Sequence, residues 1–298
     1  GDRIKAVAGD ITKENLGMSK EAYEQLVDAI DEIYHSAADV RHYADDEEAY
    51  LATNTQGTSN VLELAKVAKA AFYHMSTCSV AGNSMKEGMV CEAFTEDHYD
   101  AGQIWENNIY VKSKFLAEGL VFQAAREGVP VKIFRLGRLV GRADDGRFQI
   151  NPDGNAFYLF MKGLLQVGAV PEQALDITLD IMPIDLCAKE VLALKDAEGT
   201  VFHLMHPDPP SFGQVLQAIG EDYVAVSPEE FDRIFREKCW NMDLTLVPIV
   251  METLHSMQKQ KLSVCVTNKK TVAALEKAGF VFPELSLETV LKEFRKGE

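Results

Sequence analysis

The 298 residues predict an α/β fold, a parallel and doubly wound sheet joined to a smaller, mainly helical C-terminal part. Three observations predict it. Short apolar runs alternate with amphipathic stretches through the first half, which is the pattern of parallel βαβ units. Helical spacing dominates after Ser211. Between the two regions lies a turn-rich break, His206-Pro-Asp-Pro-Pro210, which places a weak boundary near 207.

Taken in order, Ile4–Ala8 is a short strand candidate ending at Gly9-Asp10, and Lys20–Ile30 has helical spacing. Glu32–His35 reads as a second strand, leading into Ser36-Ala37-Ala38. Asn54–Ala70 reads as a helix that buries Val61, Leu62, Leu64 and Ala65. Ala71–Ser76 is a third strand, Tyr110–Ala125 a helix with Gly128 just beyond its end, and Val131–Leu136 a fourth strand. Ala156–Val167 is a helix, Ile177–Met182 a short strand, Pro183–Leu194 a helix and Val201–Met205 a strand. The domain expectation is therefore a sheet-bearing core over 1–206, with a helical insertion at about 146–175, and a mainly helical domain over 207–298. No internal repeat or low-complexity segment is present.

Composition narrows the function classes. Hydrophobic residues at 47% can fill an ordinary globular core. A net charge of −16 offers no basic face, which argues against nucleic acid as a partner. Cys78, Cys91, Cys187, Cys239 and Cys265 are odd in number and lack C-x-x-C spacing, so they read as reduced thiols of a cytoplasmic protein. No apolar run has the length of a membrane span and no signal peptide is evident. The acidic run Asp45-Asp-Glu-Glu48 reads as a solvated face. Lys259–Lys261 with Lys269-Lys270 forms a modest basic cluster, either a solvated helix or a surface for an acidic carrier protein. The chain opens with Gly-Asp-Arg rather than Met, so further upstream sequence is expected in the natural protein.

Candidate chemistry starts at Tyr110-Val-Lys-Ser-Lys114. Residues i and i+4 share a helix face, so an ammonium can sit near the phenol. An adjacent cation lowers a tyrosine pKa and makes the group a usable proton donor or acceptor. Spacing alone does not single this pair out, because Tyr158-Leu-Phe-Met-Lys162 has it too. Context does. An apolar strand ending in Ser76-Thr77-Cys78-Ser79 precedes Tyr110, and ligands bind at the carboxyl ends of strands in open α/β sheets. Thr77 is thus either a second donor to a substrate carbonyl or a strand-end hydroxyl capping local backbone. Cys78 has no activating His at a recognisable spacing. Trp105 either lines a substrate pocket or closes the core. His203 and His206, three apart in a strand, face opposite sides and do not form a metal pair.

The ordered series Gly9-Asp10, His35-Ser-Ala-Ala-Asp-Val40, Asn54-Thr-Gln-Gly-Thr58, Ser76-Thr-Cys-Ser-Val80, Tyr110-x-x-x-Lys114 and Arg135-Leu-Gly-Arg-Leu-Val-Gly141 resembles the extended short-chain dehydrogenase/reductases. Lys162–Gly168, Leu179–Asp185 and Val201–Leu204 narrow the likeness. Over roughly residues 4 to 235 the chain resembles the terminal thioester reductase domains of nonribosomal peptide synthetases and their carboxylic acid and fatty acyl reductase relatives. The resemblance implies a Rossmann-like fold, NADPH as hydride donor and a phosphopantetheinylated carrier protein as partner. It implies that Thr77 orients the carbonyl oxygen, Tyr110 protonates it, and Lys114 tunes Tyr110 and holds the nicotinamide ribose. Asp10 would approach the adenine, Ala37 and Ala38 would line the cofactor path, and Asn54 would support the active-site strand and helix. Arg135 and Gly137 would begin the loop over the nicotinamide. Read from the residues alone, Asp10 is equally a turn residue and Asn54 equally a helix N-cap.

The family's G-x-x-G-x-x-G fingerprint is not in this sequence, so the expected fold is an N-terminally truncated Rossmann-like sheet. Backbone N–H groups at the helix following that turn hold the pyrophosphate. Without them, the chain is expected to bind NADPH weakly and to leave an unpaired sheet edge beside Glu32–His35, open to self-association. The leading reading is reductive release of a carrier-bound acyl or peptidyl thioester as an aldehyde or, after a second hydride, an alcohol. The alternatives are an extended reductase or epimerase on a nucleotide sugar, and a non-catalytic carrier-docking module.

Overall fold

The computed structural model describes residues 3–41, 46–82, 84–106, 108–220, 222–243, 245–260 and 265–295. Asp45 of the acidic run and Lys261 of the basic cluster lie outside the described residues, as do the side chains of 255–260. In chain order the elements are α1 (Lys20–Val27), β1 (Glu32–His35), α2 (Glu47–Leu51), a π-turn (Ala52–Gln56), α3 (Gly57–Ala68), β2 (Ala71–Thr77) and β3 (Ala93–Phe94). Then come α4 (Ile109–Arg126), β4 (Val131–Leu136), β5 (Arg138–Val140), α5 (Ala156–Val167), β6 (Ala169–Pro171), β7 (Ile181–Pro183) and α6 (Ile184–Leu194). The chain ends with β8 (Val201–Leu204), α7 (Phe212–Ile219), β9 (Val224–Val226), α8 (Pro228–Lys238), α9 (Leu246–Gln260), β10 (Cys265–Val266), α10 (Lys269–Lys277) and α11 (Leu287–Val290).

The principal sheet has four strands in the order β1-β2-β4-β8, and β1 pairs with β2 in parallel from Glu32 opposite Ala71 to His35 opposite His74. This is the α/β architecture with a parallel sheet that the alternating pattern predicts. Two-stranded pairs β5-β7, β6-β9 and β10-β3 complete the strands. By contact the chain forms two compact units that interleave along the sequence. The first takes 1–80, 105–135 and 199–201, and the second takes 81–104, 136–198 and 202–298. The sequence expectation is a single cut near 207, because a composition shift marks where helices begin and carries no information on which segments pack together.

In the first unit, Leu16, Val61, Leu62, Ala65, Phe72, Val121 and Ile133 form the core between sheet and helices. α4 begins at Ile109 because the Asn108 side chain accepts the Val111 N–H. Gly57 opens α3 where the Ile11 side chain presses on the helix, at 2.7 Å from the place a Cβ would occupy. Asn60 fastens the same loop by donating to the Ile11 carbonyl at 2.7 Å. The expected strand Ile4–Ala8 does not form. The segment carries no ladder, and Ile4 and Val7 are 90% and 51% exposed. Apolar, β-branched residues suit a strand only when a neighbouring strand is there to pair with them. β1 is the outermost of the four strands, with β2 as its neighbour among the described residues.

The second unit has its own core, built from Phe157, Phe160, Met161 and Leu164 of α5 with Phe212, Leu216, Phe231, Phe235 and Val250. Its helices follow their sequence signals: Ser211 caps α7 in a reciprocal capping box with Gln214, and Ser227 caps α8 ahead of Pro228. The expected strand at Ile177–Met182 shrinks to Ile181–Pro183. Among the described residues no helix is long and apolar enough to cross a membrane.

Candidate active site

The carboxyl end of β2 and the first turns of α4 converge within the first unit. Thr77, the last residue of β2, is buried and hydrogen-bonded to the Tyr110 phenol. Its Oγ1 also accepts the Ser79 N–H at 3.1 Å, so the hydroxyl caps local backbone and faces Tyr110 at once. One helical turn on, Lys114 is buried and donates from Nζ to the Met75 carbonyl at 3.0 Å. Two nearby β2 residues thus hold the pair: Met75 takes the ammonium through its backbone, and Thr77 takes the phenol.

The electrostatics differ from the sequence expectation. Spacing predicts that Lys114 lowers Tyr110, yet burial raises it, offset in part by the Thr77 hydrogen bond. Tyr110 is therefore a phenol at neutral pH, and a proton donor rather than a base. Burial lowers Lys114 to about 8, against an opposing pull from Glu118. Desolvation outweighs pairing because the ammonium has left water and its counter-charge lies a helical turn away.

Asn54 sits in the π-turn and is not an N-cap, since helix precedes and follows it. It is buried and fully used. Its Oδ1 accepts the Asp39 N–H at 2.6 Å, and its Nδ2 donates to the Asp39 carbonyl at 2.7 Å and to Ser113 Oγ at 2.9 Å. Ser113 in turn donates to the Tyr110 carbonyl at 2.8 Å. Asn54 thereby ties the loop holding Ala37 and Ala38 to the first turns of α4. Ala37 is exposed and Ala38 half-buried, directly after β1. Asp10 closes a turn, accepting from the Thr12 N–H at 3.0 Å and hydroxyl at 2.6 Å, contacts that hold its carboxyl below the usual carboxylate range.

Arg135 is fully buried, with Nε 3.0 and 3.2 Å from the Glu118 oxygens and Nη2 at 2.7 Å. Its guanidinium is committed to that carboxylate. Glu118 also accepts from Ser76 Oγ at 2.6 Å. Sequence reasoning missed Glu118, although Tyr110, Lys114 and Glu118 recur at i, i+4 and i+8 on one face, which was the available signal. Cys78 is buried, its thiol directed at the Arg135 carbonyl at 3.3 Å. Trp105 stacks on Phe115 with ring centroids 4.3 Å apart.

Gly137 belongs to the second unit. Its amide donates to the Leu204 carbonyl at 2.8 Å, and a Cβ there would lie 2.1 Å from the Asp180 carbonyl oxygen. Close backbone passage requires this glycine. Tyr158 and Lys162, which share the Tyr-x-x-x-Lys spacing, are also in the second unit. Tyr158 packs on Phe148 and Phe294 while Lys162 pairs with Asp153 in the open, so theirs is an amphipathic helix face. His203 is held by the Thr267 carbonyl and stacks on Phe94.

Comparison with known proteins places the chain. Residues 1–191 match an NAD-binding family described as male sterility protein. A linear gramicidin synthase of Brevibacillus parabrevis is 27% identical over 301 aligned positions, covering 97% of this chain and 6% of that protein. Among solved structures, a thiolation-reductase di-domain from an archaeal non-ribosomal peptide synthetase superposes with a TM-score of 0.82 at 32% identity, over 98% of this chain and 62% of that one. The terminal R domain of the myxalamid PKS-NRPS pathway gives 0.78 at 25% identity, over 96% and 73%. This chain thus spans a small part of the synthetase and under two thirds of the di-domain. The first-unit geometry and these likenesses agree, and the chain belongs to the male sterility family of NAD-binding domains, within the extended short-chain dehydrogenase/reductases.

Proposed function

We propose that this chain is the acyl-reducing domain of a peptide synthetase, releasing a thioester from a phosphopantetheinylated carrier protein. The observation that carries the reading is the Thr77–Tyr110 hydroxyl pair with the buried Lys114 ammonium one turn behind it. NADPH, when bound, supplies the hydride that adds to the thioester carbonyl carbon. Thr77 and Tyr110 donate to the carbonyl oxygen as negative charge develops there. Tyr110 carries its proton at neutral pH and delivers it to that oxygen. The tetrahedral adduct then expels the pantetheine thiol and leaves an aldehyde, and a second round gives the alcohol.

The residues present fit the reacting end of the cofactor. Lys114 has three N–H donors and gives one to the Met75 carbonyl, so its charge is available to a ribose hydroxyl. Ala37 and Ala38 directly follow the end of β1, and Asn54 holds that loop through Asp39. Asp10 would face the adenine. Arg135 would contribute through backbone, its guanidinium being taken by Glu118. No glycine-rich turn for the pyrophosphate occurs within these 298 residues, so the chain by itself should hold NADPH only weakly. The edge of β1 should also make it self-associate.

The test is turnover of an acyl-pantetheine thioester with NADPH, following aldehyde and free thiol. Tyr110→Phe should reduce kcat by about 10²–10⁴-fold, whereas Tyr158→Phe should leave it unchanged. Turnover of a nucleotide sugar with no thioester reduction would overturn the reading. A micromolar Kd for NADPH would remove the weak-binding claim, and a monomeric mass by light scattering would remove self-association.

A further inference from the structure

Among the described residues of the first unit, the buried side chains that can carry a full charge near neutral pH are Lys114, Arg135 and Glu118, with the histidines His35 and His74 beside them. Both histidines are held neutral. Burial first and the Lys114 charge second push His35 down to about 4 and His74 well below its usual range. One carboxylate therefore serves two cations, ion-paired with Arg135 and acting through its charge on Lys114. Glu118 stands at the centre: it chelates Arg135 of β4 through two oxygens, accepts the hydroxyl of Ser76 at 2.6 Å, and lies four residues after Lys114 on α4.

Building on the reductase reading, we propose that Glu118 is a positioning residue of this site, with two tasks. It locks the β2 residue preceding Thr77 against α4 and β4, and it is the counter-charge shared by Lys114 and Arg135. Ser76 and Thr77 are consecutive, so anchoring the Ser76 side chain on Glu118 fixes the strand-end backbone from which Thr77 projects. Lys114 and Tyr110 occupy the same face of α4 as Glu118, so a single carboxylate sets strand end and helix face together. The cluster keeps a surplus of one positive charge, and that surplus favours negative charge appearing on a substrate oxygen nearby. Arg135 takes the hydrogen bonds of the Glu118 carboxylate, and Lys114 feels its charge against the larger effect of burial.

The groups that interact with Lys114 are Glu118 on α4, His74 and the Met75 carbonyl on β2 and His35 on β1, while Arg135 on β4 and Tyr110 on α4 are the other ionisable groups of the cluster. With the histidines neutral and Tyr110 a phenol, burial lowers the proton affinity of Lys114 and Glu118 is the charge that opposes it. The measurement is an NMR titration of lysine Cε and glutamate Cδ resonances in the 298-residue chain, which needs no turnover. In the unmodified chain the Glu118 carboxyl carbon should register a step at the Lys114 midpoint near 8. Glu118→Gln should lower that midpoint by about one pH unit or more, a tenfold loss of proton affinity. Arg135→Met leaves Glu118 to Lys114 alone and should raise the midpoint, and Glu118→Asp should restore part of what Glu118→Gln loses. A Glu118 signal blind to the Lys114 titration overturns the proposal, with or without foldable variants. So does a Lys114 midpoint indifferent to both Glu118→Gln and Arg135→Met. A chain that passes this titration but reduces no thioester keeps the charge hub and loses the reductase reading, so the two failures are separable.

Discussion

Asn54 Nδ2 donates to Ser113 Oγ at 2.9 Å, joining the π-turn after α2 to the second turn of α4 across 59 residues of sequence. Both side chains are buried, and Asn54 also clamps both backbone groups of Asp39. Replacing Asn54 with Ala should therefore cost about 2–4 kcal/mol, because one buried and two part-buried hydrogen bonds lose a partner at once. Ser113→Ala removes one contact at each end and should cost about 1–2 kcal/mol. Urea unfolding of the two variants checks the ranking, and an Asn54→Ala midpoint equal to that of the parent chain refutes it.

Lys114 supplies the second prediction. Its folded pKa is lowered to about 8 by burial, below the 10.5 of a free lysine. Between these values the unfolded chain binds a proton that the folded chain has released. Stability from this group therefore rises as pH climbs from about 8 to about 10.5, and the full penalty is present below 8. Lys114→Met should stabilise the chain at pH 7 by about 2–3 kcal/mol while abolishing any reductase activity, and its advantage should fade above about pH 9. Thermal melts of parent and variant across about pH 7–10 measure this. A destabilised variant at neutral pH would mean that the ammonium's contacts outweigh its desolvation.

The third concerns glycines. Gly137→Ala puts a Cβ 2.1 Å from the Asp180 carbonyl oxygen, with the Leu204 carbonyl at 3.3 Å on another side, so rigid backbone has to move. At Gly57 the obstacle is the Ile11 side chain, which can turn away. Gly137→Ala should cost about 3 kcal/mol or more, and Gly57→Ala about 1 kcal/mol or less. Equal losses in chemical denaturation would contradict this reading of the two contacts.

How far the sequence alone could reach is visible at particular residues. Glu32–His35 and Val131–Leu136 match their strands end to end, since apolar runs bounded by turns have few other uses. The Thr77, Tyr110 and Lys114 grouping is legible because order along the chain separates Tyr110 from Tyr158. Strands of two or three residues such as Ala93–Phe94 and Cys265–Val266 carry no period, and only a partner segment far along the chain makes them strands. Arg135 reads as a ligand group because a sequence does not reveal that Glu118 closes on it, itself held by Ser76. The sign of the Tyr110 shift comes out wrong for a related reason. Spacing reports which groups are near, whereas burial decides which interaction dominates.

Glu190, on the buried side of α6, brings the last prediction. Its residue is buried, neither carboxyl oxygen has a hydrogen-bond partner among the described residues, and burial pushes its pKa up to about 8. Cys187, three residues earlier on the same helix, is pushed up to about 12 by burial and then by the Glu190 charge, so both groups are neutral at pH 7. Here the folded chain holds a proton that the unfolded chain gives up near 4.5. Stability from Glu190 is therefore complete below about pH 4.5 and falls as pH rises to about 8, by roughly 3–5 kcal/mol in all. Glu190→Gln should match the parent near pH 4.5 and exceed its stability at about pH 8 by a few kcal/mol, because an amide fills the same space and cannot ionise. Denaturant midpoints at both pH values decide the matter. A parallel pair of pH–stability curves would mean that Glu190 finds a counter-charge or water on ionising, and an unpartnered buried acid would then be the wrong description of α6.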